Sequence, residues 1–564
     1  MKETYLNLME KTLSAYTNEH ILHYFERVKE NGLTEHGFPR LTANIGILIA
    51  HGKRVDLLPL FTEMMEFCCK TMPTVDAAND FSVREIICCL LEVESSGVVE
   101  KETTQRWRTY LKEINPLTTY TIIAKSPTDT VKNWALFSGV SEFFRQTAGL
   151  CSSSDFIDLQ IEQQLQWLDE NGMYQDHPNS EIHHPVLYDL VSRGLFTLLL
   201  HQGYRGKFYD RISEALKKAA LCTLSMQSPN GEIAYGGRSN QFLFNEPWMI
   251  AIFEFEANRY AMLGDMQTAS RFKQASARAL AVTERWLNAK PIRHVKNRFP
   301  TESGYGCEEY AYFDKYMITV ASNLYAAYLV CNQDIPCENG ADLLPCAWQS
   351  SPHFHKLFLK SGGYGLEFDF NADACYDANG LGRVHRTGAP SAICLSCPCP
   401  VRPAYRLDIK KPFSFALCSA DRSGEDWLLG AEKGTQYQVL ESGTNHNFAF
   451  ATIACRLSNG KRITERYTVS EKGVTITLSG TDNLFYTLPA FAFDGEKESE
   501  ITIAANTLTV TYQGYACQYM VSGSILDTGK TAANRNGHYR AFMATAKENL
   551  TVSIEIFQVE VGEN

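Results

Sequence analysis

The chain has 564 residues, 45% hydrophobic and 21% charged, with a formal net charge of -11 at pH 7. That length exceeds what one compact core supports, so at least two domains are expected. The acidic balance excludes a nucleic-acid partner, which needs clustered Lys and Arg, and an anionic substrate would have to be met by local basic residues.

The opening stretch, MKETYLNLMEKTLSAYTNEH, alternates charge with apolar residues and has neither a hydrophobic run nor a small-residue cleavage site. No secretory signal is expected, and the cytoplasm is the expected compartment. No later stretch is apolar for long enough to cross a bilayer. To about Val330 the dominant period is helical. FYDRISEALKKAALCTLSM repeats apolar residues at spacings of three and four, and FNEPWMIAIFEFEANRYAMLGDMQTASRFKQASARALAVTERWL divides at Gly264 and Asp265 into two helices. About twelve such segments, arriving in pairs, predict six hairpins closed into an (α/α)6 toroid over residues 1–335. The seventeen cysteines include Cys68-Cys69 and Cys88-Cys89 on expected helices, which suits buried reduced thiols.

Residues 336–355, rich in Pro, Asn and Ser, are expected to be a linker. Over 356–564 the texture turns to short alternating runs, FSFALCSA, FAFATIACRL, RYTVSEKGVTITLSG, TLTVTYQG and LTVSIEIFQVEV, separated by NG, GT, DN and KG turns. With no helix-length crossovers between them, these predict an antiparallel β-sandwich. CLSCPCP brings Cys394, Cys397 and Cys399 together, but no second ligand cluster with zinc spacing follows, so core thiols are expected and neither metal nor cofactor. The 27 Tyr, 31 Phe and 7 Trp suit sugar-stacking clefts and equally a large core.

Four helical-half stretches carry polar groups where the surroundings are apolar. KNWALFSG holds Asn133 and Trp134. NGMYQDHPNSEIHHPVLYDL gathers Asp176, His177, His183, His184, Tyr188 and Asp189; Pro185 suits a first helical turn, so His184 falls at the cap and Tyr188 one turn on. YGGRSNQ puts two glycines before Arg238 and then Asn240, a turn that aims a carboxylate-matching guanidinium outward, though an Arg bridging two helices would look the same. KPIRHVKNRFPTESGYGCEEYAYFDKY adds Arg293, His294, Lys296 and Arg298, then Glu308, Glu309, Tyr310, Tyr312 and Asp314, carboxylates beside aromatic platforms of the kind glycoside chemistry uses. In the β half, GRVHR puts Arg383 and His385 on one strand face beside Arg386, a loop able to reach back over the toroid mouth.

In these residues the chain resembles two groups of carbohydrate-active proteins. The toroid-then-sandwich order, with Asn133, a His, Tyr188 and Arg238 in that sequence, is similar to the heparinase II/III-like and chondroitin-lyase-like polysaccharide lyases. That resemblance implies that Asn neutralises a uronate carboxylate, that Tyr and His move protons, and that Arg assists. NGEIAYGGRSNQF, the NW stretch, the His-Pro helix start and FEFEANRY resemble the bacterial DUF2264 proteins, associated with glycoside hydrolase family 154, which implies a glucuronide substrate. Both converge on a uronic-acid-containing glycoside or oligosaccharide as partner, with a homo-oligomer left open. The expectation is an exo-acting β-glucuronidase-type hydrolase, with one carboxylate from Glu308 or Glu309, one from Asp176 or Glu246, and Arg238 with His184 holding the substrate. Hydrolysis needs such a pair about 5 to 9.5 Å apart. The rival readings are a β-eliminating lyase and a non-catalytic sugar-binding protein.

Overall fold

A computed structural model describes residues 1–75, 77, 79–126, 133–176, 186–337 and 344–559. Helices occupy the chain from Lys2 to Val330, and strands from Cys346 to Gln558. Six helices, Gly37–Ala50, Val83–Ser96, Asn133–Thr147, Val186–His201, Asn245–Met262 and Phe313–Val330, pack each against the next, and the last returns to the first, closing an inner ring. Outer helices such as Leu58–Thr71, Ser154–Leu165, Tyr209–Met226 and Met266–Leu287 lie against it, and Lys2–Leu13 packs on Phe313–Val330 to seal the closure. The inner helices are apolar on nearly every face, Asn245–Met262 being buried at thirteen positions, because both neighbours and the outer layer cover them. The helical pair read around Gly264 is present: Asp265 caps the Met266 helix by accepting the Thr268 N–H.

A fully buried ion pair ties this ring together. Lys273 Nζ lies 2.6 Å from Glu254 Oε2, while Glu254 Oε1 accepts from Ser276 and from Tyr5 of the first helix. Lys273→Met leaves that carboxylate buried without its cation and is expected to lower stability by about 3–5 kcal/mol, read as a drop in the urea midpoint at unchanged slope.

The β half is antiparallel throughout, in a four-stranded sheet β1 (Cys346–Gln349), β2 (Lys356–Ser361), β3 (Tyr364–Asp369) and β4 (Gly380–Arg386), an eight-stranded sheet and a five-stranded sheet. Strict alternation, as in Phe448–Arg456 and Leu550–Gln558, buries every second side chain in one shared core. The stretch read as a linker contains β1, which pairs with β2, and FSFALCSA is mostly bridged rather than laddered, its strand beginning only at Ser419. Cys394, Cys397 and Cys399 are buried in this half, with Cys394 Sγ 3.1 Å from the Tyr519 hydroxyl. Among the described residues no helix is long and apolar enough to cross a membrane.

Candidate active site

Because inner and outer helices alternate in direction, the inner helices all begin at one end of the ring, and their first residues line its mouth. Phe81 and Trp134 meet edge to face there, their centroids 4.6 Å apart, and His36 lies tilted against Phe81 at 4.8 Å. Asn133 opens its helix, and its backbone N–H and side-chain amide both donate to Asp176 Oδ1 at 3.2 Å, so a carboxylate sits on the positive end of that helix.

Beside it lies the turn YGGRS. Gly236, Gly237 and Ser239 take φ of 150°, 72° and 66°; the glycines adopt this freely, whereas Ser239 carries strain of about 1–2 kcal/mol. The strain persists because three hydrogen bonds hold the turn and an ion pair ties two of their partners together. The Gly237 N–H donates to Asp377 at 2.8 Å and its carbonyl accepts from Arg535 at 2.7 Å. The Ser239 N–H donates to Glu308 at 2.7 Å, and Glu308 in turn lies 3.5 Å from Arg535. The β half thus fixes a loop of the helical half. Its product is an oriented side chain: the Arg238 guanidinium lies over the Tyr310 ring, 4.4 Å from the centroid.

A chain of hydroxyls runs alongside. Tyr188, in the first turn of the Val186 helix, is 3.0 Å from Ser239 Oγ, which also bonds the Tyr310 hydroxyl. Burial raises the Tyr188 hydroxyl while the Arg238 cation and the Ser239 bond draw it back, leaving it pushed up to about 12. It therefore keeps its proton at neutral pH. Burial opposes the Arg238 charge, but the Tyr188 and Tyr310 oxygens outweigh it and hold the cation.

A cavity of about 950 Å³ opens in front of Arg238, lined by Glu308, Glu309, Tyr310, Tyr376, Tyr405 and Arg406 among others. Tyr188, Arg238, Glu308 and Tyr310 therefore meet at one place, and Glu309 lies exposed at its rim. His294 also lines it, while several other sequence candidates are committed elsewhere. Glu246 is wholly buried, paired with Lys296 at 2.8 Å. Arg298 pairs with Asp494 and Glu496, and the Asn240 amide donates to the Ala234 carbonyl. Tyr312 is exposed before the Phe313 helix. His385 bonds Ser228 at 2.6 Å and Arg386 lies over Tyr364, so these two side chains are held against the loop after the Tyr209–Met226 helix and against the sheet, and neither lines the cavity. His183 and His184 lie outside the described residues.

Sequence reading missed His355. It sits at the entry to β2 with φ 44°, and its Nδ1 is 2.6 Å from Asp369, which Lys356 also contacts at 3.2 Å. Burial alone would raise Asp369, but His355 and Lys356 hold it below the usual carboxylate range. A Cβ at Gly236 would lie 3.0 Å from Val186 and 3.3 Å from Lys356, so the Tyr188 helix, the Arg238 turn and this strand entry converge. The only local signal was HFHK, read as linker.

Two other histidines are kept neutral. Burial pushes His294 down to about 4; burial and the Arg383 cation push His385 down to about 3, outweighing Glu232 3.3 Å away. An unfolded imidazole titrates near 6.5, so the unfolded chain gains protons first, and stability is expected to fall as pH drops from about 6.5 to 4. Urea midpoints across that window check this, with His294→Gln shallowing the slope.

No family model matches the sequence, and neither does any curated protein; the resemblance to glycoside hydrolase family 154 gains no support from these comparisons. Solved structures do align. Heparinase III matches with a TM-score of 0.50 and 9% identity, over 92% of this chain and 77% of that one. A heparinase III gene product gives 0.47 at 10% over 93% and 79%, and a chondroitin lyase of a baculovirus envelope gives 0.43 at 10% over 92% and 76%. At such identity the likeness to heparinase III establishes the shared fold: a helical toroid followed by antiparallel β-sheets.

Proposed function

We propose that the protein cleaves a uronic-acid-containing carbohydrate by β-elimination. The observation that carries this reading is the Arg238 cation fixed beside a Tyr188 hydroxyl that stays protonated at neutral pH. Arg238 binds the substrate carboxylate and stabilises the charge that develops on it when the alpha proton leaves. A histidine takes that proton. His355, oriented by Asp369 and with no partner for Nε2 among the described residues, is assigned this role. His184, two residues before the Val186 helix in sequence, is the rival. The electrons of the broken C–H bond form the alpha-beta double bond, the bond from the beta carbon to the glycosidic oxygen breaks, and Tyr188 protonates the departing oxygen. The Ser239 and Tyr310 hydroxyls then return a proton to Tyr188.

What supports elimination over hydrolysis is that three of the expected carboxylates are otherwise engaged: Glu246 pairs with Lys296, and Asp176 and Glu308 each accept backbone N–H groups. The heparinase and chondroitin lyase names of the aligned structures agree with this choice. Incubation with uronate-containing oligosaccharides should generate the ultraviolet absorbance of an unsaturated uronate. Turnover without that absorbance, or release of the phenol from an aryl glucuronide, returns the glucuronidase reading.

A further inference from the structure

One hairpin of the β half reaches the Arg238 turn. Strands Ser524–Asn534 and Gly537–Ala546 pair up to Asn534 and Gly537, so the turn between them is Arg535 and Asn536. That turn is inserted between two segments of the helical half. Towards the first, Arg535 Nη2 donates to the Gly237 carbonyl at 2.7 Å, and the Arg535 carbonyl accepts from the Gln241 amide at 3.1 Å. Towards the second, Arg535 Nη1 lies 3.5 Å from Glu308, and the same carbonyl accepts from Asn297 at 3.2 Å. A Cβ at Gly306 would lie 2.7 Å from that carbonyl, so only glycine lets this segment come so close. The hairpin tip is itself anchored, because the Asn534 amide donates to the Cys397 carbonyl at 2.7 Å and its oxygen accepts the Asn536 N–H at 2.9 Å.

The first segment carries Arg238, and the second carries Glu308 and Tyr310. Arg535 is 2% exposed and does not line the cavity, yet its guanidinium lies 4.3 Å from the ring centre of Tyr405 and 5.5 Å from that of Tyr376, which do. Burial opposes its charge, but Glu308 foremost, then Tyr405 and Asp377, outweigh burial and keep it a cation.

We infer that Arg535 is a positioning residue for the reaction, holding the Arg238 guanidinium in register with the opposite wall of the cavity. The inference rests on the role proposed above for Arg238. Its physical basis is the strained Ser239, whose φ of 66° lasts only while the surrounding contacts impose it. With the Gly237 carbonyl released, the turn relaxes and Arg238 swings with it. A displacement near 1 Å at a reacting group costs about 10²-fold in rate. Lysine is no substitute, because an ammonium lacks the planar fork whose two ends hold different segments.

The test is a double-mutant cycle on cleavage of a uronate-containing oligosaccharide, using the whole protein as wild type, Arg535→Lys, Arg238→Ala and both together. Arg535→Lys is expected to lower kcat about 10²-fold in wild type. In Arg238→Ala, whose own loss of about 10²–10³-fold leaves a measurable rate, it is expected to change kcat no more than roughly twofold. A purely structural role lowers both backgrounds by the same factor. Urea midpoints check that each variant is folded. Should Arg535→Lys misfold, Arg535→Gln, which keeps an N–H donor without a charge, takes its place in the cycle. Equal losses in the two backgrounds, or no loss in wild type, would overturn the inference. The cycle compares rates whatever the products are. Coupled losses with hydrolytic products leave Arg535 in its role and end the elimination reading, whereas additive losses with an unsaturated product do the reverse.

Discussion

Tyr188→Phe is expected to lower kcat on the order of 10²–10⁴-fold while leaving KM and thermal stability close to wild type. The substitution removes one oxygen from a ring otherwise packed in the first turn of the Val186 helix, so the shape of the mouth is kept. What disappears is the proton donor. The size of the loss separates the proposed role from a structural one, because deleting a single neutral hydrogen bond to Ser239 accounts for only about 1 kcal/mol, roughly fivefold. A leaving group that needs no protonation should restore much of the lost rate. A kcat within fivefold of wild type on an ordinary glycoside contradicts the assignment.

Arg238→Ala is the second large effect. Removing a preorganised donor aimed at developing charge lowers kcat by about 10²–10³-fold. Here KM should rise too, because the same guanidinium binds the carboxylate in the ground state. Arg238→Lys is expected to recover little, since an ammonium offers no planar fork and does not lie over Tyr310 in the same way. A substrate whose carboxylate is reduced to an alcohol should be turned over poorly by wild type and no worse by Arg238→Ala. If Arg238→Ala instead loses the same factor on both substrates, the residue is not reading the carboxylate.

The parts of the molecule legible in the sequence are those governed by local periods. Apolar spacing of three and four gave the helices, and strict alternation in FAFATIACR and LTVSIEIFQ gave strands with one buried face. Asp265 was readable as a cap because its partner, Thr268, is three residues away. Arg238 was readable because two glycines announce a turn that brings backbone close to something else. What escaped depends on pairings across long separations. Glu246 looks like a free carboxylate until Lys296 is found beside it. Arg535 carries no local mark, yet it clamps the Arg238 turn from the other half of the chain. His385 alternates with Arg383 as expected, but which face meets the helical half is set by tertiary packing, and that face is buried. His355 was hidden because β1 and the entry to β2 lie in a stretch whose Pro and Ser content reads as linker.

The most direct test of the central claim is the mass of the products. Elimination splits the substrate with no water added, so the masses of the two products of a purified uronate-containing oligosaccharide should sum to that of the substrate, with the unsaturated fragment lighter by one water than its hydrolytic counterpart. Products whose masses together exceed the substrate by one water would contradict the account and assign the site to hydrolysis.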